Sequence, residues 1–344
     1  MEQPLIDAIR SAVAAQRPLA IRGGGSKAFY TGAAQGEILD TRGHRGIVSY
    51  QPSELVMTAR AGTPLTEIEA ALAQHGQMLA CEPPHFGAGA TLGGMVACGF
   101  SGPRRPWGGA VRDFVLGVRM VNGNGEVLNF GGQVMKNVAG FDVSRLMAGS
   151  LGSLGLLLEV LLKVLPRPAH EITLRRDCTQ SEALAQCAAW AARPLPLSAV
   201  TWLDGALYVR LSGSEAALQA AAQRLGGETV PDGAEFWQLL REHSQPFFLL
   251  AEGETLWRLA LPPAAPVPEL AGRWCADWGG AQRWLVTAQD AGAVHQAARG
   301  AGGYAVPFRG AQAGRLRLEP GVAALHARIR AAFDPHGVFA SVAA

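Results

Sequence analysis

Three glycine-rich segments, each beside a stretch that reads as a β-strand, constrain this chain more than any other feature. The first is Ile21-Arg22-Gly23-Gly24-Gly25-Ser26-Lys27, overlapping the end of the strand candidate Leu19-Ala20-Ile21-Arg22. Successive glycines admit unusual backbone angles and leave no Cβ in the way, so consecutive N–H groups can converge on phosphate oxygens. Arg22 and Lys27 add positive charge to that nest. Standing alone, the same loop reads equally well as a turn with solvated flanking charges. The second run, Gly87 to Gly102, is too long and apolar for an exposed linker, so its backbone groups need partners in protein or ligand. The third, Gly149-Ser150-Leu151-Gly152-Ser153-Leu154-Gly155-Leu156-Leu157, turns directly into a strand. Three such segments, far apart in sequence, fit one extended cofactor held deep in a domain.

Length and composition narrow the class. At 344 residues the chain exceeds the usual size of a single core, so two domains are expected. Hydrophobic residues make up 49% and charged residues 17%, which excludes an intrinsically disordered protein. The formal charge of +2 supplies no field that would favour nucleic acid or an anionic membrane. Five cysteines form no C-x-x-C pair and no finger spacing, so no local zinc or iron–sulfur site is expected and reduced thiols in the cytoplasm are. The start, Met-Glu-Gln-Pro-Leu-Ile-Asp, lacks the basic-then-apolar pattern of a secretory signal. Leu146 to Leu165 carries Glu159, Lys163 and four small residues, so it reads as a buried loop plus strand rather than a membrane span.

Along the first half, strands and helices alternate. A helix is expected over Leu65 to Gln74, with Thr63 as N-cap, Pro64 at its first position and Gly76 ending it. Asp113 to Val121 and Glu126 to Phe130 flank Asn122-Gly123-Asn124-Gly125, a hairpin signal, and Leu154 to Leu165 reads as one long strand. After Pro166-Arg167-Pro168 the composition shifts to Ala-rich helices and Trp-bearing strands. Thr179 with Glu182, Ser212 with Glu215 and Asp232 with Glu235 have capping-box spacing. Strands are expected at Ala199 to Leu203, Leu207 to Leu211, Leu256 to Leu261 and Arg283 to Val286. Pro262 to Pro268 reads as a surface linker, and no short repeat is visible. The Trp stripe is either core or a partner surface.

Standard signatures are missing. There is no P-loop, no H-E-x-x-H and no G-x-S-x-G elbow. A degenerate dinucleotide fingerprint at Gly300 to Ala305 follows a helix rather than a strand, the wrong context for that motif.

The R-G-G-G-S-K loop, the G-A-T-L-G-G-M-V-A run, Lys136-Asn137-Val138-Ala139-Gly140-Phe141-Asp142 and the G-S-L-G-S-L-G-L-L-L-E turn together resemble the FAD-binding domain of the vanillyl-alcohol oxidase and p-cresol methylhydroxylase superfamily. Within it, the chain is most similar to glycolate oxidase FAD-binding subunits, which work with a second flavin subunit and an iron–sulfur subunit. The resemblance implies an α+β fold. Residues 1–168 would form an FAD-binding domain of two α+β subdomains, 169–318 a smaller ferredoxin-like α+β cap domain, and 319–344 a C-terminal segment returning to the FAD domain. It implies oxidation of a small 2-hydroxy acid, glycolate, to glyoxylate, and cytoplasmic placement with peripheral attachment to the inner membrane through partners.

Roles follow by resemblance for matching positions. Gly23, Gly24, Gly25, Ser26 and Lys27 would wrap the pyrophosphate, with Arg22 beside them. Thr91, Leu92, Gly93 and Gly94 would lie along the flavin and its linker, and Ala97, Ser101 and Gly102 would continue that wall. Gly152, Gly155 and Leu157 would face the adenine end. Covalently flavinylated members often carry His where this chain has Ser26, so FAD is expected to bind non-covalently. Departures are Leu151 where Glu is common, Ala340 where Asn is usual, and no His-x-Gly-Asp-Gly-Asn-like cluster in the cap domain.

A 2-hydroxy-acid dehydrogenase needs a cation for the carboxylate and a base for the hydroxyl proton. His85, Arg104, Arg105, Arg309 and His336 are the candidates, each equally readable as a solvated surface group. The catalytic residues stay unassigned. A self-sufficient oxidoreductase of another hydroxy acid and a non-catalytic, FAD-stabilised assembly subunit both remain open.

Overall fold

The computed structural model describes residues 2–31, 36–132, 141–313 and 318–340. The segment 136–140 of the family-like motif lies outside them. The chain divides into two units: Met1–Ser101, Gly109–Arg167 and Arg317–Ala344 form the first, and Gly102–Gly108 with Pro168–Leu316 form the second.

The first unit is built on a five-stranded antiparallel sheet, ordered Ile47–Gln51, Val56–Arg60, Leu156–Lys163, Val115–Val121, Val127–Gly131. Leu156–Lys163 is almost wholly buried, because it sits in the middle and feeds two clusters. Val160 and Leu162 join Met57, Ile68, Leu72 and Met95, while Leu156 and Leu158 join Ile9 and Phe339. The membrane-like stretch is thus a core strand preceded by a turn. No helix among the described residues is long and apolar enough to cross a membrane. Helix Glu2–Ala15 buries Leu5, Ile6, Ile9 and Ala12, one stripe at helical spacing. Beside it, Leu19–Arg22 pairs in parallel with Glu37–Asp40. The C-terminal segment adds to the same strand, with Leu19 N donating to Val338 O (2.7 Å) and Ala340 N to Leu19 O (2.8 Å). Asp334 secures that return by accepting from Val338 N and Phe339 N, both at 2.9 Å.

The second unit is one eight-stranded antiparallel sheet: Glu228–Thr229, His170–Asp177, Ala206–Gly213, Leu197–Leu203, Arg273–Asp277, Gln282–Thr287, Thr255–Ala260, Tyr304–Gly310. It is a tandem of two ferredoxin-like halves. Residues 170–229 run β-α-β-β-α-β, with the strands in spatial order 4-1-3-2, and residues 255–310 repeat that order. The two halves join through their second strands, Trp202 opposite Ala276. In the second half the first helix is missing. Its place in the chain is taken by Pro262 to Pro268, where prolines lack the N–H that a helix needs.

That stretch lies at the surface as expected, with Pro262, Pro263, Ala264 and Pro266 exposed, but its carbonyls are held. Arg283, fully buried, donates Nη1 to Pro266 O (2.8 Å) and Nε to Gly280 O (3.2 Å), and Nη2 reaches Ala265 O and Pro263 O. A cation buried without a carboxylate here fixes an irregular loop by its carbonyls. Half of the Trp stripe is buried core, namely Trp237, Trp257 and Trp284, and the Trp202 and Trp237 indoles donate to Cys178 O and Thr173 Oγ1.

Other local expectations shift for identifiable reasons. The helix runs Leu65–Ala73 with Pro64 at the N-cap. Thr63 is instead fully buried, its hydroxyl donating to Arg60 O (2.7 Å) and accepting from Gly46 N (2.9 Å). Of the three capping boxes only Thr179–Glu182 forms. Ser212 lies in a strand, where its register partner is Glu171, and Asp232 makes no side-chain cap bond. The long strand stops at Lys163, and Leu165–Pro166 pairs separately with Gln77–Met78.

Candidate functional site

The cradle begins where Leu19–Arg22 ends. A Cβ on Gly24 would lie 1.4 Å from Gly89 O, and one on Gly23 would lie 2.4 Å from Thr91 Oγ1. The first two glycine-rich runs therefore pack backbone against backbone, an approach only glycine permits. Gly25 turns the chain with φ +72°. Thr91 N-caps the helix Leu92–Cys98, accepting from Gly94 N (3.3 Å), and Gly93 N donates to Ala61 O at 2.7 Å.

The third run closes the wall. Gly149 N donates to Val96 O (3.0 Å) and Leu151 N to Ala97 O (2.8 Å), which ties the turn to the same short helix. Leu151 (φ +53°) and Gly152 (φ +78°) both adopt left-handed backbone, and a Cβ on Gly155 would strike Met120 Cε at 2.4 Å.

These three runs enclose a cavity of about 390 Å³, within the size range of small-molecule and cofactor sites. Arg22, Gly23, Gly24, Gly25, Ser26 and Lys27 line it. So do Thr91, Gly93, Gly94 and Ala97, and from the third run Gly152, Gly155 and Leu157. The structure thus brings together residues separated by more than 130 positions. Three expected wall residues lie elsewhere. Leu92 is fully buried in the core under the helix, Ser101 Oγ accepts from Val111 N (3.1 Å), and Gly102 belongs to the second unit.

Other lining residues were not anticipated: Gly36, Ile38 and Thr41 from the paired second strand and its flanks, and Ala61 from beneath Gly93. None carries a motif: the parallel register that sets Arg22 opposite Asp40 brings Gly36, Ile38 and Thr41 to the site, and the Gly93 N–H bond to its carbonyl brings Ala61.

Charge at the cavity is one-sided. Arg22 and Lys27 are its charged lining residues, and no carboxylate side chain lines it among the described residues. Lys27 is only 7% exposed, and its Nζ donates to His85 O (3.1 Å) and Ser26 Oγ (3.3 Å). Cys98 also lines the wall, and burial pushes its thiol up to about 11, so it stays protonated and inert at neutral pH. A glycine cradle, two cations and apolar flanks at Ile21, Ile38 and Leu157 suit a dianionic pyrophosphate carrying flat ring systems. FAD fits that donor set.

The candidate catalytic groups do not gather here. None of the five lines the cavity. His85 Nε2 lies 3.1 Å from Glu69 Oε1. Arg104 pairs with Glu171, and Arg105 stacks 4.2 Å over Trp278, both inside the second unit. Arg309 is half-buried on Tyr304–Gly310, where burial lowers its pKa, and His336 is exposed in the turn after helix Pro320–Phe333. No cluster of three or more His, Cys, Asp or Glu residues that could hold a metal ion occurs among the described residues.

Residues 2–131 match the FAD binding domain family. Over 337 residues the chain is 51% identical to glycolate oxidase subunit GlcE of Escherichia coli (strain K12), covering 98% of this chain and 95% of that protein. The chain belongs to the GlcE family. Against glycolate oxidase subunit GlcD of Bacillus subtilis (strain 168), the GlcE-family chain is 38% identical over 96 residues, 28% of this chain and 20% of that protein. A solved alkyldihydroxyacetonephosphate synthase superposes with a TM-score of 0.66 at 14% identity, covering 97% of this chain and 73% of that one, which establishes shared fold alone. FAD is the cofactor of this GlcE-family chain, held in an FAD-binding α+β fold with a second α+β unit.

Proposed function

We propose that this chain is the FAD-binding subunit of a glycolate oxidase complex that oxidises glycolate to glyoxylate. The carrying observation is the glycine-walled, cation-lined cavity in a chain 51% identical to a glycolate oxidase subunit along nearly its whole length. Arg22, Gly23 to Gly25, Ser26 and Lys27 hold the pyrophosphate through backbone N–H groups and two positive charges. Thr91, Gly93, Gly94 and Ala97 bound the flavin linker, and Gly152, Gly155 and Leu157 bound the adenine end. FAD, when bound, supplies a hydride acceptor for the hydroxyl-bearing carbon of the substrate. Ser26 offers no imidazole for a flavin linkage, so retention is non-covalent.

Electrons leave through partner subunits, a second flavin subunit and an iron–sulfur subunit, and the complex sits in the cytoplasm, peripheral to the inner membrane. The five cysteines are free and scattered, so the cluster belongs to a partner.

A second reading, a non-catalytic FAD-stabilised assembly subunit, is favoured by one observation. Two of the best candidate catalytic groups are engaged: His85 with Glu69, and Arg104 with Glu171 and Ser212. Absorption spectra of the purified chain, taken before and after anaerobic glycolate, separate the readings. Bleaching by glycolate places a competent site in this chain. A yellow protein that stays oxidised until the partners are co-expressed supports the subunit role. A colourless protein that refuses added FAD refutes the cofactor assignment.

A further inference from the structure

Helix Pro320–Phe333, in the C-terminal segment of the first unit, is anchored at one end only. Ile329 and Phe333 pack against the core cluster of Met57, Val160 and Leu162, and the Phe333 ring lies 6.3 Å from that of Phe130. Gly123 N donates to Phe333 O at 2.8 Å, and Arg330 donates Nη2 to Phe339 O. One turn earlier this support ends. Val322 is 45% exposed and Leu325 53%, and no residue of the helix is fully buried.

That exposure is at odds with the composition of the helix. Nine of its 14 residues are Ala, Val, Leu, Ile or Phe, and only His326, Arg328 and Arg330 are polar. A surface helix sets a polar face opposite its apolar stripe, whereas one that is apolar nearly all round is a covered helix. Val322, Leu325, Ile329 and Phe333 follow at i, i+3, i+7 and i+11, so they form one stripe, with the spacing of anchors that enter a groove. Its C-terminal half meets the core of the first unit, and its N-terminal half lies open.

We propose that Val322, Leu325 and Arg328 form a docking face for another subunit of the complex, one that offers an apolar groove with an acidic rim. The proposal rests on the complex reading above and adds the surface through which that complex forms. Charge selects the occupant. Residues 320–333 contain no acid, and the exposed Arg328 pairs with no carboxylate among the described residues, so a carboxylate on the partner completes it. A second copy of this chain, packed helix to helix about a two-fold axis, sets cation near cation with no acid on the helix to answer them. A lipid surface draws on clusters of Lys and Arg beside bulky apolar side chains. Here Arg328 is the one exposed arginine of the helix, and the exposed Ala324, Ala327 and Ala331 are small. Small side chains suit the close approach of another protein's backbone, because interaxial distance follows side-chain size.

The full chain is co-expressed and then titrated with the second flavin subunit and the iron–sulfur subunit, and association is followed by size-exclusion chromatography with light scattering. Leu325→Asp weakens association about 30-fold or more, as loss of a central anchor does. The thermal midpoint and flavin-to-protein ratio of that variant, measured on the isolated chain, match the wild type. Arg328→Glu weakens association about 10-fold and flattens the salt dependence that the wild-type complex shows.

Wild-type association in both variants, with the complex itself intact, overturns the docking face and leaves the complex reading standing. A lowered thermal midpoint of isolated Leu325→Asp also overturns it, since the chain would then be covering this helix with its own residues. Leu325-dependent self-association makes a second copy the occupant, and Leu325-dependent binding to phosphatidylcholine–phosphatidylglycerol vesicles makes it a lipid surface. Either result refutes the proposed partner. A wild type that associates with neither subunit removes the complex reading first and this face with it.

Discussion

Replacing Gly24 with alanine tests the cradle with a single methyl group. The new carbon would lie 1.4 Å from Gly89 O and 2.3 Å from its carbonyl carbon. Ordinary contact needs about 3.4 Å, so the first and second glycine-rich runs must separate by roughly 2 Å at that point. Both partners are backbone, so no rotamer change relieves the clash. Inserting a methyl group into so tight a fit costs about 1–3 kcal/mol. If that cost falls on the bound state, FAD affinity drops by about 5- to 150-fold, at tenfold per 1.4 kcal/mol. Gly25→Ala is the matched control. It meets nothing within 4 Å but sits at φ +72°, so it carries only backbone strain of about 1–2 kcal/mol. The flavin-to-protein ratio after purification and an FAD titration by fluorescence quenching read both variants. Wild-type affinity in Gly24→Ala, or a larger loss in Gly25→Ala than in Gly24→Ala, would refute the backbone-contact argument.

Two further outcomes follow from the second unit. Arg283→Met removes the donors that hold the 262–268 loop and strands its carbonyls, at a cost of about 1.5–3 kcal/mol measured by urea unfolding. Burial pulls the Arg283 pKa to about 10, so the wild-type side chain stays charged at neutral pH, and an unchanged urea midpoint in the variant would show that the loop holds itself. Burial, aided by the Arg309 and Arg258 charges, holds His243 well below its usual 6.5. The unfolded chain therefore binds a proton that the folded one resists. Stability present above pH 6.5 is lost as pH falls, at up to about 1.4 kcal/mol per pH unit. His243→Phe keeps the stack on Phe248, whose centroid lies 4.0 Å away, and flattens that decline between pH 6.5 and 5. Equal slopes in both proteins would place the acid sensitivity elsewhere, His44 being another histidine that burial lowers.

Local chemistry made much of the cofactor domain legible in advance. Glycine runs beside strands announce close backbone approach, and the one capping box with both partners on an exposed helix start, Thr179 with Glu182, forms as its spacing requires. The failures share a cause. Thr63 and Ser212 have capping residue types at capping spacings, but a hydroxyl bonds to whatever partner, donor or acceptor, the fold brings nearest. For Thr63 that was the backbone of residues 46 and 60, and for Ser212 it was Glu171 across the sheet. The surface-linker reading of Pro262 to Pro268 holds for its exposure but misses how it is held, because prolines say only that no helix forms. They do not say that Arg283, some 20 residues on, will pin their carbonyls.

The sequence by itself pointed to an extended anionic cofactor, because three glycine-rich segments beside strands, the first flanked by Arg22 and Lys27, are properties of residues in order along the chain. It also determined the α+β character of both halves, through periodicity and turn residues. Only the tertiary structure decided which side chains complete the cavity wall, that Gly36, Ile38 and Thr41 join it, and that residues 102–108 leave the cofactor unit for the other. The physical reason is the range of the interactions. Backbone conformation is set by neighbours a few positions away, whereas a cavity wall, a buried guanidinium's acceptors and a doubled ferredoxin-like sheet are set by pairings across tens to more than a hundred residues.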